Sequence, residues 1–431
     1  MIFAAASARG YAKKGGFQKM EFHTAFRSAD ILLPESVDMT KWSVVACDQF
    51  TGEPEYWDRT EKIVGKAPST LRLTLPEIYL GSPDVDKRIE NINQNIESYL
   101  SAGIFREYKS SMIYVRRVQS DGKIREGIVG AVDLEEYDYR PGSDSQIRAT
   151  EATVTERIPP RLKIRKDAPL ELPHIMILID DKENSVIEPL AKENLPKLYD
   201  FTLMQGGGSI SGYLLGEREI KAVDGALERL SVGAKMLFAM GDGNHSLATA
   251  KEHYENLKRE HPGEDLSNHP ARYALCEIVN LHSPALEFEA IHRIVTGVDR
   301  DALIAEMTDA LGLSKEPSEQ KITVLRGADK DTLYVHKPLS KLAVGSLQTC
   351  LDEYLKNNPD AKTDYIHGED VVARLAQSPD AVGFILEPMK KSELFEAVET
   401  DGALPRKTFS MGHAQDKRYY LEAKRITEEV S

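Results

Sequence analysis

Met236-Leu-Phe-Ala-Met-Gly241-Asp242-Gly243-Asn244-His245-Ser246-Leu-Ala-Thr249-Ala250-Lys251-Glu252-His253 is the stretch in which an apolar run changes into a helical pattern through two glycines. The run before Gly241 has the length and polarity of a buried strand, and the glycines mark a sharp turn. From Asn244 onward the apolar residues recur at helical spacing. The sequence therefore predicts a strand, a glycine turn and a helix in direct succession.

The start of this predicted helix suits an anion, because the free amides of a first helical turn converge there and the helix dipole favours negative charge. Phosphate is the obvious anion. Beside it, Asp242 would be a metal ligand or general base. His245 lies off the apolar stripe and would be a proton carrier or phosphate donor. The alternative is that Asp242, Asn244 or Ser246 only caps the helix.

The overall charge bounds the partners of the protein. The 431 residues include 55 Lys plus Arg and 69 Asp plus Glu, which gives a formal net charge of −14. This balance argues against general affinity for nucleic acid or anionic membranes. No apolar run approaches the ~20 residues that span a bilayer. We expect neither a nucleic-acid nor a membrane partner, and leave the oligomeric state open.

Cysteine usage indicates the compartment. Cys47, Cys276 and Cys350 are scattered without metal or redox spacing, so each is expected to be a small core residue in a reducing, cytoplasmic environment. Residues 1–19 carry basic residues and no acid, but they lack the apolar segment of a targeting leader. They are expected to be a disordered extension, or an upstream misreading of a start at Met20.

A basic segment lies in the middle of the chain. Between Gln146 and Lys166 there are six basic residues and two acids, a local excess of +4. Pro159-Pro160 is taken to exclude a continuous helix, so that the basic residues would not share a helical face. The segment is either a loop closing over an anionic ligand or an ordinary solvated loop.

Elsewhere the pattern is mixed. Strands Met112 to Val118 and Glu126 to Leu134 flank a hairpin turn at Ser120-Asp121-Gly122, and Gly206-Gly-Gly208 follows neither a P-loop nor a dinucleotide spacing. From about Asp299, helices alternate with strands, which suggests a second, smaller α/β unit. The predicted fold class is α/β, in the mixed α+β sense.

Four spaced landmarks together carry a family resemblance: Val45-Ala46-Cys47-Asp48-Gln49, Arg148-Ala-Thr150-Glu151-Ala-Thr153, Gly241 to His245, and Leu404-Pro405-Arg406-Lys407-Thr408. In this order they resemble the family known as domain of unknown function 1015 (DUF1015). That family is similar to the ParB/Spo0J superfamily, which includes clamps that bind cytidine triphosphate and kinases that phosphorylate free serine. The resemblance implies a ParB-like mixed-sheet domain over residues 20–296, expected to bind a nucleotide, and an α/β domain over 297–431.

The resemblance also implies a site. Its nucleotide-phosphate signature falls on Asp242, Gly243, Asn244, His245 and Ser246, next to Gly241, and the middle landmark adds Thr150 and Thr153. Two positions depart from the family, because the usual histidine is Asn244 and the usual arginine is Ser246. A serine hydroxyl cannot neutralise phosphate as a bidentate arginine does. The candidate replacement cations are Arg148, Arg157, Arg161 and Lys407.

Three functions are compatible with these residues. The first is a small-molecule kinase that uses Mg²⁺ and ATP, ADP or CTP to phosphorylate a small hydroxylated metabolite such as an amino acid. In it, Asp242 holds Mg²⁺, and Glu151 or His245 accepts the hydroxyl proton. Glu151 could instead bind Mg²⁺ or form an ion pair with a neighbouring arginine. The second is a nucleotide-binding regulator without catalysis, and the third, a metal-dependent hydrolase, lacks a recognisable ligand spacing.

Overall fold

The computed structural model describes residues 24–140, 142–405 and 407–428. The expectation for residues 1–19 lies outside these residues. The fold is mixed α/β, as predicted. The helices are α1 Met39–Trp42, α2 Pro54–Val64, α3 Val85–Ser101, α4 Ile158–Arg165, α5 Glu217–Ser231, α6 Asn244–Glu260, α7 Arg300–Leu311, α8 Ala343–Asn357, α9 Glu369–Leu375 and α10 Leu394–Asp401.

The strands lie before, between and after these helices along the chain. They are β1 Phe26–Arg27, β2 Ala29–Pro34, β3 Phe105–Ser111, β4 Ile113–Val118, β5 Ile124–Asp133, β6 Tyr137–Asp138, β7 Ile147–Arg148, β8 Leu170–Glu171, β9 Met176–Ile179, β10 Lys197–Thr202, β11 Ser209–Leu214, β12 Phe238–Asp242, β13 Tyr273–Asn280, β14 Phe288–Ala290, β15 His292–Thr296, β16 Gln320–Arg326, β17 Asp329–Val335, β18 Lys362–Ile366, β19 Ala381–Ile385, β20 Phe409–Met411 and β21 Lys424–Arg425.

The larger sheet has the strand order β10-β11-β4-β5-β13-β9-β12-β7-β6, with β1 added to β5. The predicted hairpin is present as β4 and β5, and Gly122 in its turn has a φ of 84°. The glycine run 206–208 lies between β10 and β11, which pair with each other. The sheet is mixed, since β12 runs parallel to β7 and antiparallel to β9.

The predicted strand–turn–helix stretch is present in this sheet, where β12 is the third strand from one edge. Strand β12 ends at Asp242, Gly243 has a φ of 80°, and α6 begins at Asn244. Gly243 is required there, because the left-handed backbone disfavours other residues and an added Cβ would lie 3.1 Å from the Cα of Ile175. The buried residues Leu247 and Tyr254 hold α6 on the sheet.

The smaller sheet, of order β17-β16-β19-β15-β18, is antiparallel throughout. Strand β15, residues 292–296, belongs to the smaller sheet although it precedes the expected boundary at 296/297. In the other direction, the C-terminal strand β21 pairs with β8, near the larger sheet. The chain therefore crosses between the two regions more than once. The domain limits 20–296 and 297–431 stay a prediction. Within the described residues, no helix has the length and apolarity needed to cross a membrane.

The prediction that Pro159-Pro160 excludes a helix is wrong. Helix α4 begins at Ile158, and both prolines occupy its first turn. Proline is tolerated there, because first-turn amides have no partner within the helix and its φ is already helical. The basic segment thus becomes a helix that packs against α6. Arg157, Arg161 and Arg165 consequently follow one another at helical spacing.

A buried ion-pair network attaches the C-terminal segment to the larger sheet. The guanidinium of Arg418 donates to Glu277 at 2.9 Å and to Glu422 at 2.8 Å, and all three side chains are nearly inaccessible. Tyr199 donates to Glu422 at 2.6 Å. Burial raises the pKa of Tyr199, and the charge of Glu422 acts in the same direction. The network fixes the residues on both sides of Arg418.

Replacing Glu277 with alanine should destabilise the fold by about 3–5 kcal/mol, because the buried Arg418 would lose one of its two carboxylate partners. The urea midpoint of the full chain, followed by circular dichroism, measures the loss. Glu183 is exposed, so Glu183→Ala is the control and should leave the midpoint unchanged. An unchanged midpoint in Glu277→Ala would contradict the role of the network.

Candidate functional site

The first turn of α6 is not capped by a side chain. Gly243 stands at the N-cap, and Asp242 Oδ1 accepts a hydrogen bond from the Gly243 amide at 3.0 Å, one residue too early to cap the helix. Among the described residues, nothing accepts a hydrogen bond from the amides of Asn244, His245 or Ser246. The capping interpretation therefore fails, and the first-turn amides are available to a ligand.

Several buried polar atoms at the same turn also have no hydrogen-bond partner in the described chain. They are Asp242 Oδ2, Asn244 Oδ1 and His245 Nε2; Thr153 Oγ1, on the middle landmark, is also buried without a partner. Leaving such atoms unsatisfied costs roughly 1–3 kcal/mol each, so a cluster of them calls for an explanation. A polar ligand at the start of α6 would supply the missing partners.

Lys417 is the cation nearest this turn. Its Nζ lies 3.5 Å from Asp242 Oδ2, and both side chains are largely buried. Asp48, from the first landmark, lies in the same environment. Burial raises the pKa of Asp48, but His174, Gln49 and Lys417 together outweigh that effect and lower it. Lys417 thus stands among acidic side chains from distant parts of the chain.

Glu151 connects the turn to the last landmark. Leu404 pairs with Glu151 as an isolated bridge, and the Lys407 amide donates to Glu151 Oε1 at 3.1 Å. Burial raises the pKa of Glu151, against the opposing charge of Lys407 and the amides of Lys407 and Thr408. The loop after Leu404 therefore does return to the middle landmark. Arg406 lies outside the described residues.

Helix α4 brings two arginines to His245. Arg161 is half-buried and pairs with Glu77, whereas the exposed Arg157 forms no ion pair with any described residue. Burial, followed by the charges of Arg161 and Arg157, lowers the pKa of His245 to about 4. His245 is therefore neutral at pH 7. Arg157 is the candidate cation that remains free to meet an anion.

Arg148 does not join the other candidates. Its guanidinium donates to the carbonyls of Ser145 and Lys235, and Lys235 precedes β12, at the opposite end of that strand from Gly243. Thr150 is buried and donates to the Met240 carbonyl at 2.8 Å, so it supports β12 close to the glycine turn. Gly241 packs on Leu178, which leaves little room beside it.

Ser246 belongs to a hydrogen-bonded line that the sequence did not reveal. Its Oγ lies 3.0 Å from His174 Nε2, and His174 Nδ1 lies 2.9 Å from the Tyr420 hydroxyl, which accepts from the Cys47 amide at 3.2 Å. His174 and Tyr420 are buried. The tautomer of His174 decides whether Ser246 donates or accepts in this line.

Four residues of this site were not predicted: Asp48, His174, Lys417 and Tyr420. Asp48 was part of the first landmark, which was the only signal pointing to it. His174 had the pattern of an ordinary buried strand, and Lys417 and Tyr420 belonged to a segment without a motif. Cys276 and Cys350 are buried, as expected. Cys47 is only partly buried and borders a pocket.

The sequence profile of the family described as "Protein of unknown function (DUF1015)" matches residues 31–354, the greater part of the chain. The chain belongs to this family, as predicted. No curated protein matches it. The kinship with the ParB/Spo0J superfamily stays a prediction.

Three solved structures are distantly similar to the chain. A conserved hypothetical protein from Pyrococcus furiosus has 10% identity and a TM-score of 0.34, with 68% of this chain and 96% of that chain covered. A free serine kinase in complex with ADP has 10% identity and a TM-score of 0.38, with 69% and 92% covered. C-terminally truncated SbnI from Staphylococcus aureus has 11% identity and a TM-score of 0.36, with 66% and 82% covered.

The pKa of His245 should be measurable as a titration of its imidazole by NMR, with a midpoint near pH 4. The unfolded chain binds this proton near pH 6.5, so its contribution to stability is present above that pH and is lost as the pH falls toward 4. Arg157→Gln should raise the midpoint by removing a positive charge. Lys163→Gln, on the same helix, should leave it unchanged. A midpoint near pH 6.5 in the native chain would contradict the burial of His245.

Proposed function

We propose that this protein is a nucleotide-dependent phosphotransferase that acts on a small hydroxylated metabolite. The observation that carries the proposal is the uncapped first turn of α6, with its free amides. The unpartnered Asn244 Oδ1 is an acceptor and so would meet a hydroxyl group of the nucleotide or of the acceptor. Amides at a helix start bind phosphate oxygens directly, and the dipole of α6 adds favourable charge. The side-chain donors of Asn244 and Ser246 would complete this cradle.

Arg157 and Lys417 take the place of the arginine that is absent at position 246. Arg157 is unpaired near His245, and Lys417 approaches the turn from the other side, beside Asp242. A planar guanidinium can contact two phosphate oxygens at once. Arg161 is less suited to this role, because Glu77 already neutralises it. Lys407 lies near Glu151 and supports the charge balance there.

Asp242 suits a magnesium ion that arrives with the nucleotide. Mg²⁺ in such sites is held by one or two carboxylates together with phosphate oxygens. Across the described ranges of the chain, no three His, Cys, Asp or Glu side chains are grouped so that they could hold a metal without such help. Asp242 Oδ2 forms no hydrogen bond and lies 3.5 Å from Lys417 Nζ, and it would provide one ligand position. The ion would neutralise charge on the transferred group.

Glu151 is a better general base than His245. A base for a hydroxyl works best with a pKa near the working pH. Burial moves the pKa of Glu151 upward in this direction, whereas the pKa of His245, about 4, is moved away from it. In the proposed step the acceptor oxygen forms a bond to the terminal phosphorus, the bond from phosphorus to the leaving nucleotide oxygen breaks, and the acceptor proton passes to Glu151.

A regulator that binds a nucleotide without turnover is the second candidate. The same free amides and cations support it, because they explain binding and do not require catalysis. The two differ in one observable. Only the phosphotransferase converts the nucleotide when a hydroxylated acceptor is supplied.

Nucleotide binding should raise the melting temperature of the full chain when ATP, ADP or CTP is added, with and without Mg²⁺. Arg157→Gln should weaken this binding about 10- to 100-fold, since a charge-assisted contact contributes about 1.5–3 kcal/mol. Lys163→Gln removes a charge from the same helix and should bind as the wild type does. If no nucleotide shifts the melting temperature, both candidate functions are wrong.

Asp242→Asn should abolish phosphoryl transfer without unfolding the protein. Asparagine retains the oxygen that Gly243 contacts, so the melting temperature of the free protein should fall only by the loss of the charge that faces Lys417. Turnover is measured by ³¹P NMR with pooled amino acids, sugars and simple alcohols as acceptors. Asp144 is exposed, and Asp144→Asn serves as the matched control. Full activity in Asp242→Asn would remove this carboxylate from the mechanism. Binding without turnover in the wild type would favour the regulator.

A further inference from the structure

A pocket of about 150 Å³ lies directly beside the first turn of α6. We call it the side pocket. Helices α3, α4 and α6 and the segment 73–80 enclose it. Its apolar wall includes Leu73, Leu75, Ile92, Ile96, Ile164 and Ala168.

The side pocket is continuous with the proposed phosphate site through one residue. Ser246 belongs to the uncapped turn and also lines the pocket, where its Oγ meets His174 Nε2 at 3.0 Å. Tyr420 and Cys47 border the pocket too, and both belong to the same hydrogen-bonded line. The hydrogen-bonded line from Ser246 to Cys47 therefore begins at the proposed phosphate site and continues along the wall of the side pocket.

The charged residues on the wall of the pocket are already paired. Arg161 pairs with Glu77, and Arg165 lies 2.7 Å from Glu171, which also faces Lys424 at 3.5 Å. A zwitterion such as an amino acid needs a free cation and a free anion, because burying an unpaired charge is costly. These residues provide neither. An uncharged apolar group meets no such penalty here.

The volume sets the size of the group. An apolar cavity of about 150 Å³ in another protein admits benzene. We propose that the side pocket receives an uncharged aromatic ring or branched aliphatic chain of about six heavy atoms, carried by the alcohol that accepts the phosphoryl group. This inference rests on the proposed function, since Ser246 and the start of α6 must meet the polar end of the same ligand.

The test is binding of benzyl alcohol and 3-methyl-1-butanol to the full chain, measured by ligand-detected NMR. Both should bind, and L-serine should not displace them. Ala168→Leu fills the pocket and should weaken both at least 10-fold. Ala102 is exposed at the end of α3, so Ala102→Leu makes the same change outside the pocket and should bind both alcohols as the wild type does. Absence of binding to the wild type, or equal binding to Ala168→Leu, overturns the inference.

Ile92→Ala provides a second variant that does not depend on the folding of Ala168→Leu. It enlarges the pocket and should improve the binding of 2-phenylethanol relative to benzyl alcohol, and an unchanged ratio would count against the assignment. The ATP-induced thermal shift, measured on the same variants, separates the two proposals. It should be equal in Ala168→Leu and Ala102→Leu. Loss of the ATP shift in Ala168→Leu alone, with alcohol binding retained, would assign the pocket to the nucleotide base instead.

If alcohols bind as expected but ATP produces no shift in the wild type, the nucleotide function fails and the pocket for an apolar group remains.

Discussion

The buried ion pair between Arg418 and Glu277 is the interaction on which the site depends. Glu277 lies in the middle of β13, and Arg418 stands between the two C-terminal residues that reach the site, Lys417 and Tyr420. Arg117, also buried, donates to the Lys417 carbonyl at 2.9 Å. Burial lowers the pKa of Arg117 to about 10, and the nearby Arg125 contributes to this change. The backbone beside the site is thus held by charges that have no access to water.

Charge around the glycine turn is arranged in two layers. Near the backbone, Lys417 stands among carboxylates, so its charge is already shared before any anion arrives. Further out, Arg157 stands unpaired at the start of α4. An arriving phosphate gains most from the cation that has no partner to give up. Under the proposed function, Arg157 would therefore supply the guanidinium that a serine at position 246 cannot.

The local parts of this arrangement were predictable from the sequence, and the long-range parts were not. The glycine turn and α6 follow from periodicity over neighbouring residues, so they were predicted correctly. The prolines were misread because proline has opposite effects inside a helix and in its first turn, and the sequence does not say where the turn begins. His174 and Tyr420 are 246 residues apart and meet only through the sheet topology. No local pattern could have joined them.

The return of the C-terminal segment to the larger sheet affects how the protein forms. Trp42 donates to the Leu421 carbonyl across 379 positions of the chain, and the Val44 carbonyl accepts from the Tyr420 amide. Contacts of such separation form slowly, because long loops must close first. During synthesis on the ribosome, β12 and α6 emerge long before Lys417 and Tyr420 exist. The surroundings of the glycine turn are therefore completed only after residue 420 has been synthesised, and a nascent or shortened chain would expose the free amides without Lys417.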